Sequence, residues 1–140
     1  MDQAAIERFQ MVGQDLPHLI DQWVEAQPDT PLLVWEPRDG ATRTWTYRDF
    51  RDETLEIAAG LMARGSSSAI ALIHADNCPE MVLAWYACAR LGAVGVTTNT
   101  RSVANEVAYF AEHTRAVGAI TQPQYAALVA EAAPNSAGWS

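Results

Sequence analysis

The 140-residue sequence contains no lysine, and all nine of its basic residues are arginine. Schiff-base chemistry, a phosphate-loop lysine and a lysine clamp on an acyl phosphate all need an amine side chain, so this chain supplies none of them. Cysteine is scarce. Cys78 and Cys88 cannot make a disulfide framework, and on one helix their ten-residue separation would place them about 15 Å apart, beyond bridging distance. Long apolar runs are missing as well, because the longest, Met81 to Ala89, is far below the roughly 20 residues that span a bilayer. Met1 to Phe9 are acidic and polar with no apolar run behind a basic start, so no signal peptide is expected and the chain reads as cytoplasmic. Positive charge is short too. Seventeen acidic residues outweigh the arginines and leave a net charge of −8, which repels phosphate backbones and argues against nucleic acid as a partner.

What is present is material for a core. Apolar residues make up 49% and charged residues 19%, which excludes a disordered chain, and the length fits one compact domain or a piece of a larger one. Pro17 begins a short helix that stops before Pro28. Leu32–Trp35 and Thr42–Trp45, separated by Pro37-Arg38-Asp39-Gly40, read as a β-hairpin. Thr46 with Asp49 resembles an N-cap, followed by a helix whose apolar face holds Tyr47, Phe50, Thr54, Ile57, Ala58 and Leu61 and which ends at Gly65. Ser66 to Ser68 form a loop. Beyond it, apolar strands at Ile70–Ile73 and Ala93–Thr98, both expected to be buried, and at Val117–Thr121 alternate with helices over Glu80–Leu91, from about Val103 to Thr114 with Val103, Val107, Phe110 and Ala111 on the core face, and from Pro123 to near Pro134. The helix over Glu80–Leu91 is apolar nearly all round and is expected to be enclosed by protein.

This alternation predicts an α/β fold: a mostly parallel sheet with helices on both faces, preceded by the hairpin. The expected organisation is an N-terminal extension over 1–16, an α/β unit over 17–134 and a loose tail over 135–140.

The two phosphate signatures common in such folds are absent from the sequence, and Gly92-Ala93-Val94-Gly95 lies before and inside a strand, where capping and close packing explain it. His18, His74 and His113 lack the spacing of a metal site, so no metal ligands are assigned. Cys78, at a helix start, is either an activated thiolate or a small buried hydrophobe. His74, Asn77, Asn99 and Arg101 follow the carboxyl ends of predicted strands, where open α/β sheets bind ligands. They are the candidate crevice-edge residues, against the plain alternatives of packing, loop-backbone hydrogen bonds and an ion pair. No catalytic residue is assigned.

Thr44-Trp45-Thr46-Tyr47-Arg48-Asp49-Phe50 with Ala58-Ala59-Gly60-Leu61 resembles the early strand-to-helix segment of adenylate-forming enzymes. Asn77-Cys78-Pro79-Glu80-Met81, Ala89-Arg90-Leu91-Gly92-Ala93-Val94, Thr98-Asn99-Thr100-Arg101 and Glu106-Val107-Ala108-Tyr109 are similar to later motifs of the same superfamily, in the same order. Among its members the AMP-forming acyl-CoA synthetases, of the carnitine-CoA ligase type, are most similar. The sequence departs from the family's pattern in a contracted Gly65–Ala69 link and in Val103, which stands where a threonine usually caps the next helix, with Ser102 one residue early.

The resemblance implies the opening part of a ligase large domain. It implies a parent enzyme that converts a small carboxylate and ATP to an acyl-adenylate and then to an acyl-CoA, with ATP, Mg and coenzyme A as cofactors. The family's lysine-bearing phosphate loop, its magnesium motif and its catalytic lysine have no counterpart here, so the segment is expected to be inactive alone. Its partner would be the remainder of the enzyme, with self-association possible through an exposed sheet edge. The alternative is a stand-alone, non-catalytic α/β nucleotide-binding or interaction module.

Overall fold

The computed structural model describes residues 15–64 and 69–133 and the backbone of Ala137–Trp139; the expected Gly65 cap, the Ser66–Ser68 loop and nearly all of the 1–16 extension lie outside them. The chain divides into two compact units, with the boundary after Arg51, where the sequence suggests a single unit over 17–134.

In the first unit, helix α1 (Leu16–Ala26) starts one residue before Pro17, because the Asp15 carboxylate accepts the His18 amide at 2.8 Å. Strands β1 (Pro31–Trp35) and β2 (Arg43–Thr46) pair antiparallel, with Leu33 opposite Trp45 and Trp35 opposite Arg43. Trp45 is buried, and the Arg43 guanidinium lies 4.0 Å from its ring centroid. Helix α2 (Tyr47–Ala63) follows directly and crosses the unit boundary. Its cap is reciprocal: the Asp49 amide donates to Thr46 Oγ1 at 3.2 Å, and the Thr46 amide donates to Asp49 Oδ2 at 3.1 Å. Those bonds from Thr46 hold the Asp49 carboxyl below its usual range.

The second unit is a parallel sheet of four strands in the order β4-β3-β5-β6: β3 (Ile70–His74), β4 (Val94–Thr97), β5 (Gly118–Thr121) and β6 (Ala137–Trp139). Helix α3 (Pro79–Arg90) joins β3 to β4, and α4 (Ala104–Thr114) joins β4 to β5. A 3-10 turn, Pro123–Tyr125, then leads into α5 (Ala126–Ala132), so the helix expected from Pro123 begins with a tighter turn. Strand β3 is buried on both faces. Ala71 and Ile73 pack with Ala58, Leu61, Ala87 and Cys88 on one side, and Leu72 packs with Val107, Ala119 and Val129 on the other. Helices therefore cover both faces, as the alternating apolar pattern requires.

Four expectations are corrected. Helix α3 is not enclosed: Leu83, Ala84, Ala87 and Cys88 are buried, but Trp85 is 44% exposed, because the helix packs along one side only. The strand after Gly92 is not interior, since β4 is a sheet edge and Val94 is 55% exposed. Val103 is not on the core face; it caps α4 with 57% of its surface exposed. The tail is not loose throughout, because Ala137–Trp139 pairs with β5, a contact that three residues are too short to announce by periodicity.

Two small features invite substitution. A Cβ on Gly95 would stand 2.9 Å from both Ile73 Cδ1 and Trp85 Cδ1, so the packing reading of this glycine is physical. Gly95→Ala is expected to cost about 1–3 kcal/mol by overpacking, read as a lower urea midpoint at unchanged slope. At α4 only half of a capping box exists: Glu106 Oε2 accepts the Val103 amide at 3.1 Å, and the valine returns no hydroxyl. Val103→Thr supplies that acceptor and is expected to stabilise the chain by about 1 kcal/mol in the same assay.

Candidate functional site

Because β4 and β5 pair with β3 in level register, Ile73 beside Thr97 and His74 beside Thr121, the loops that follow emerge side by side. A cavity of about 470 Å³ opens there, lined by Ala75, Asp76 and Asn77 after β3, by Met81 of α3, and by Thr97, Thr98, Asn99 and Thr100 after β4. Amides, hydroxyls and one carboxylate dominate its wall, a surface suited to hydrogen bonding with a polar ligand.

Asp76 organises the rim. Its Oδ1 accepts from the Tyr125 hydroxyl at 2.8 Å and from Thr100 Oγ1 at 3.1 Å, while Oδ2 accepts from Gln124 Nε2 at 3.4 Å. Its backbone amide donates to Gln122 Oε1 at 2.8 Å. The bond to Asp76 raises the Tyr125 hydroxyl above its usual pKa, so the phenol stays protonated and remains the donor. In a sheet of this order the strand connections diverge between β3 and β5, which is where ligands often bind. Here Gln122 and Tyr125 reach across the ends of those two strands, and the open volume lies over β3 and β4 instead.

The four candidate residues separate by environment. Asn77 and Asn99 both line the cavity. Asn99 also shapes its own loop, with Oδ1 accepting the Arg101 amide at 2.9 Å and its carbonyl accepting the Ser102 amide at 2.9 Å. Arg101 is exposed and is not among the lining residues. His74 is fully buried behind the wall, with Nδ1 2.8 Å from Thr98 Oγ1. Burial lowers its pKa, and the nearby Asp76 charge opposes that only partly. Cys78 is half-buried and its thiol is pushed up, chiefly by burial, which removes the thiolate reading. Sequence reasoning missed Asp76, Gln122 and Tyr125. Asp76 had a signal, since it follows β3 by two residues, but its partners lie 24 to 49 residues away.

Among the described residues no group of three or more His, Cys, Asp or Glu side chains is placed to hold a metal ion, and no helix is long and apolar enough to cross a membrane.

Residues 20–138 match the model of the AMP-binding enzyme family. The chain belongs to that family. It is 30% identical over 115 residues to the crotonobetaine/carnitine–CoA ligase of Citrobacter koseri, a match that covers 81% of this chain and 22% of the relative. The corresponding Salmonella paratyphi A ligase is 29% identical over the same share. Among solved structures, the O-succinylbenzoate coenzyme A synthetase of Bacillus subtilis, in complex with AMP, superposes with a TM-score of 0.77 at 22% identity, over 86% of this chain and 30% of that one. The N-terminal subdomain of Klebsiella oxytoca NpsA gives 0.69 at 23% identity, over 78% and 28%. The chain spans about a fifth of the length of the curated relatives it matches.

Asp76→Ala removes one acceptor from three donors on two different loops. It is expected to lower the urea midpoint and to speed amide exchange at residues 98–102 and 122–125, whereas Arg101→Ala is expected to leave both unchanged.

Proposed function

We propose that this chain is the scaffold segment of an AMP-forming acid–thiol ligase, in which the loops after β3 and β4 wall part of the crevice where a small carboxylate meets ATP. The observation that carries this reading is the polar cavity at the carboxyl ends of β3 and β4, lined by Asn77 and Asn99, in a chain of the AMP-binding family. Adenylation requires cations and oriented amides to neutralise phosphate charge while the carboxylate attacks in line. Amides and hydroxyls are on the cavity wall; no basic residue is.

Catalysis, with ATP, magnesium and coenzyme A, belongs on this reading to the remainder of the enzyme, which is the segment's partner in a cytoplasmic setting. Isolated copies would pair through the β4 edge, whose Val94–Thr97 carries neither charge nor proline to blunt it. The expected organisation places the α/β portion over 17–134.

Purified chain is expected to show no ATP–pyrophosphate exchange above background with short-chain, long-chain or betaine-type carboxylates. Turnover above background would sink the scaffold reading. An AMP-induced thermal shift that disappears in Asn99→Ala would favour a stand-alone nucleotide-binding module instead.

A further inference from the structure

We propose that His74 is a proton-operated latch: neutral, its imidazole ties together the carboxyl ends of β3 and β4 behind the cavity, and on protonation it releases them. Three strand ends meet at this one residue. The imidazole Nδ1 is 2.8 Å from Thr98 Oγ1 just after β4, and the His74 carbonyl accepts from Thr121 Oγ1, at the end of β5, at 2.7 Å. The Tyr125 ring meets the imidazole at 88°, with centroids 5.2 Å apart. Next to the first of these bonds, the Thr98 amide donates to the Ile73 carbonyl at 3.1 Å.

The latch is pH-sensitive because the two protonation states place different demands on the site. His74 is 0% exposed, and Nε2 is buried with no hydrogen-bond partner among the described residues. Neutral imidazole tolerates this, since one nitrogen shares a hydrogen bond with a hydroxyl that donates or accepts as the tautomer requires. Imidazolium carries a proton on both nitrogens, so it would place a charged Nε2–H donor in the interior without an acceptor.

The groups facing the ring do little to offset that cost. Thr98, just beyond β4, brings a hydroxyl to the ring, while the Thr121 hydroxyl at the end of β5 serves the His74 carbonyl. The turn after β5 brings Tyr125, which stays protonated. Among the described residues Asp76 is the anion whose charge acts on the imidazole, and its carboxylate already serves Tyr125, Thr100 and Gln124. Burial outweighs it, and the imidazole pKa in the fold lies below the ordinary 6.5. With the folded value depressed, the stabilisation is whole above the unfolded value and is lost as pH falls through the folded one. The latch holds whether or not the cavity serves a ligase.

Two readouts on the purified chain test it. In two-bond proton–nitrogen spectra, His74 is expected to remain a single neutral tautomer at pH values where free N-acetylhistidine is already protonated. The protection factors of the Thr98 and Asp76 amides are expected to be flat near pH 7 and to fall below about pH 6.5 by up to about tenfold per pH unit. His74→Gln, which cannot take a charge, is expected to remove that pH dependence. If that variant does not fold, Thr98→Val, which replaces the hydroxyl with a methyl group of similar size, is expected to lower Asp76 protection already at neutral pH. A His74 that titrates like the free amino acid, protection at Thr98 and Asp76 that is constant on acidification, an unaltered pH profile in His74→Gln, or unaltered Asp76 protection in Thr98→Val would overturn the latch.

Discussion

The level pairing of β3 with a neighbour on each side is the constraint on which the rest of the second unit depends. Ala71 stands beside Gly95 in one direction and Gly118 in the other, and Ile73 beside Thr97 and Ile120. Small residues next to Ala71 let the helices approach, while Leu72 and Ile73 anchor opposite faces. A slip of one residue would exchange those faces, sending Leu72 toward α3 and Ile73 toward α4. It would also pull Asp76 and Asn77 out of line with Thr98, Asn99 and Thr100. The rim network and the cavity are therefore consequences of strand register before they are properties of any single side chain.

Register also explains why the site sits to one side of the crevice expected for this strand order. Beyond β5 the chain turns at once through Pro123, whose fixed φ favours a tight first turn, and this brings Gln122, Gln124 and Tyr125 back over the sheet end. Their bonds with Asp76 bridge the ends of β3 and β5. Beyond β4 the chain instead runs on through Thr98 to Arg101, shaped by the Asn99 turn, and leaves room. Side chains thus bridge the strand ends on the β5 side of β3, and the cavity lies on the β4 side.

Much of this was legible in the sequence where the signal is local. The apolar run Ile70–Ile73, the glycine after Leu91 and the Thr46–Asp49 spacing each fix a nearby backbone decision, and all three appear where expected. Asn77 and Asn99, chosen by the rule that ligands gather at strand ends, both line the cavity, and that rule needs only the strand boundaries. Exposure was less legible: Val94 and Trp85 look like core residues because apolar composition does not say which side of a sheet lacks a neighbour. Asp76 was underread because its value comes from Thr100, Gln124 and Tyr125, up to 49 residues distant, and side-chain networks across loops leave no period.

Scaffold and chemistry separate on physical grounds. Hydroxyls and amides can orient a polar ligand, but each offers only a partial charge, whereas a triphosphate undergoing attack must have several full charges offset at once. The arginine nearest the cavity in sequence, Arg101, is exposed and off the lining, and its amide is held by Asn99 in a turn that shapes the loop. With no lysine anywhere in the chain and no basic residue on its lining, the cavity offers a polar ligand hydrogen bonds rather than full positive charge. On the proposed reading such a wall contributes shape and hydrogen bonds, and the full charges that offset a triphosphate come from other residues.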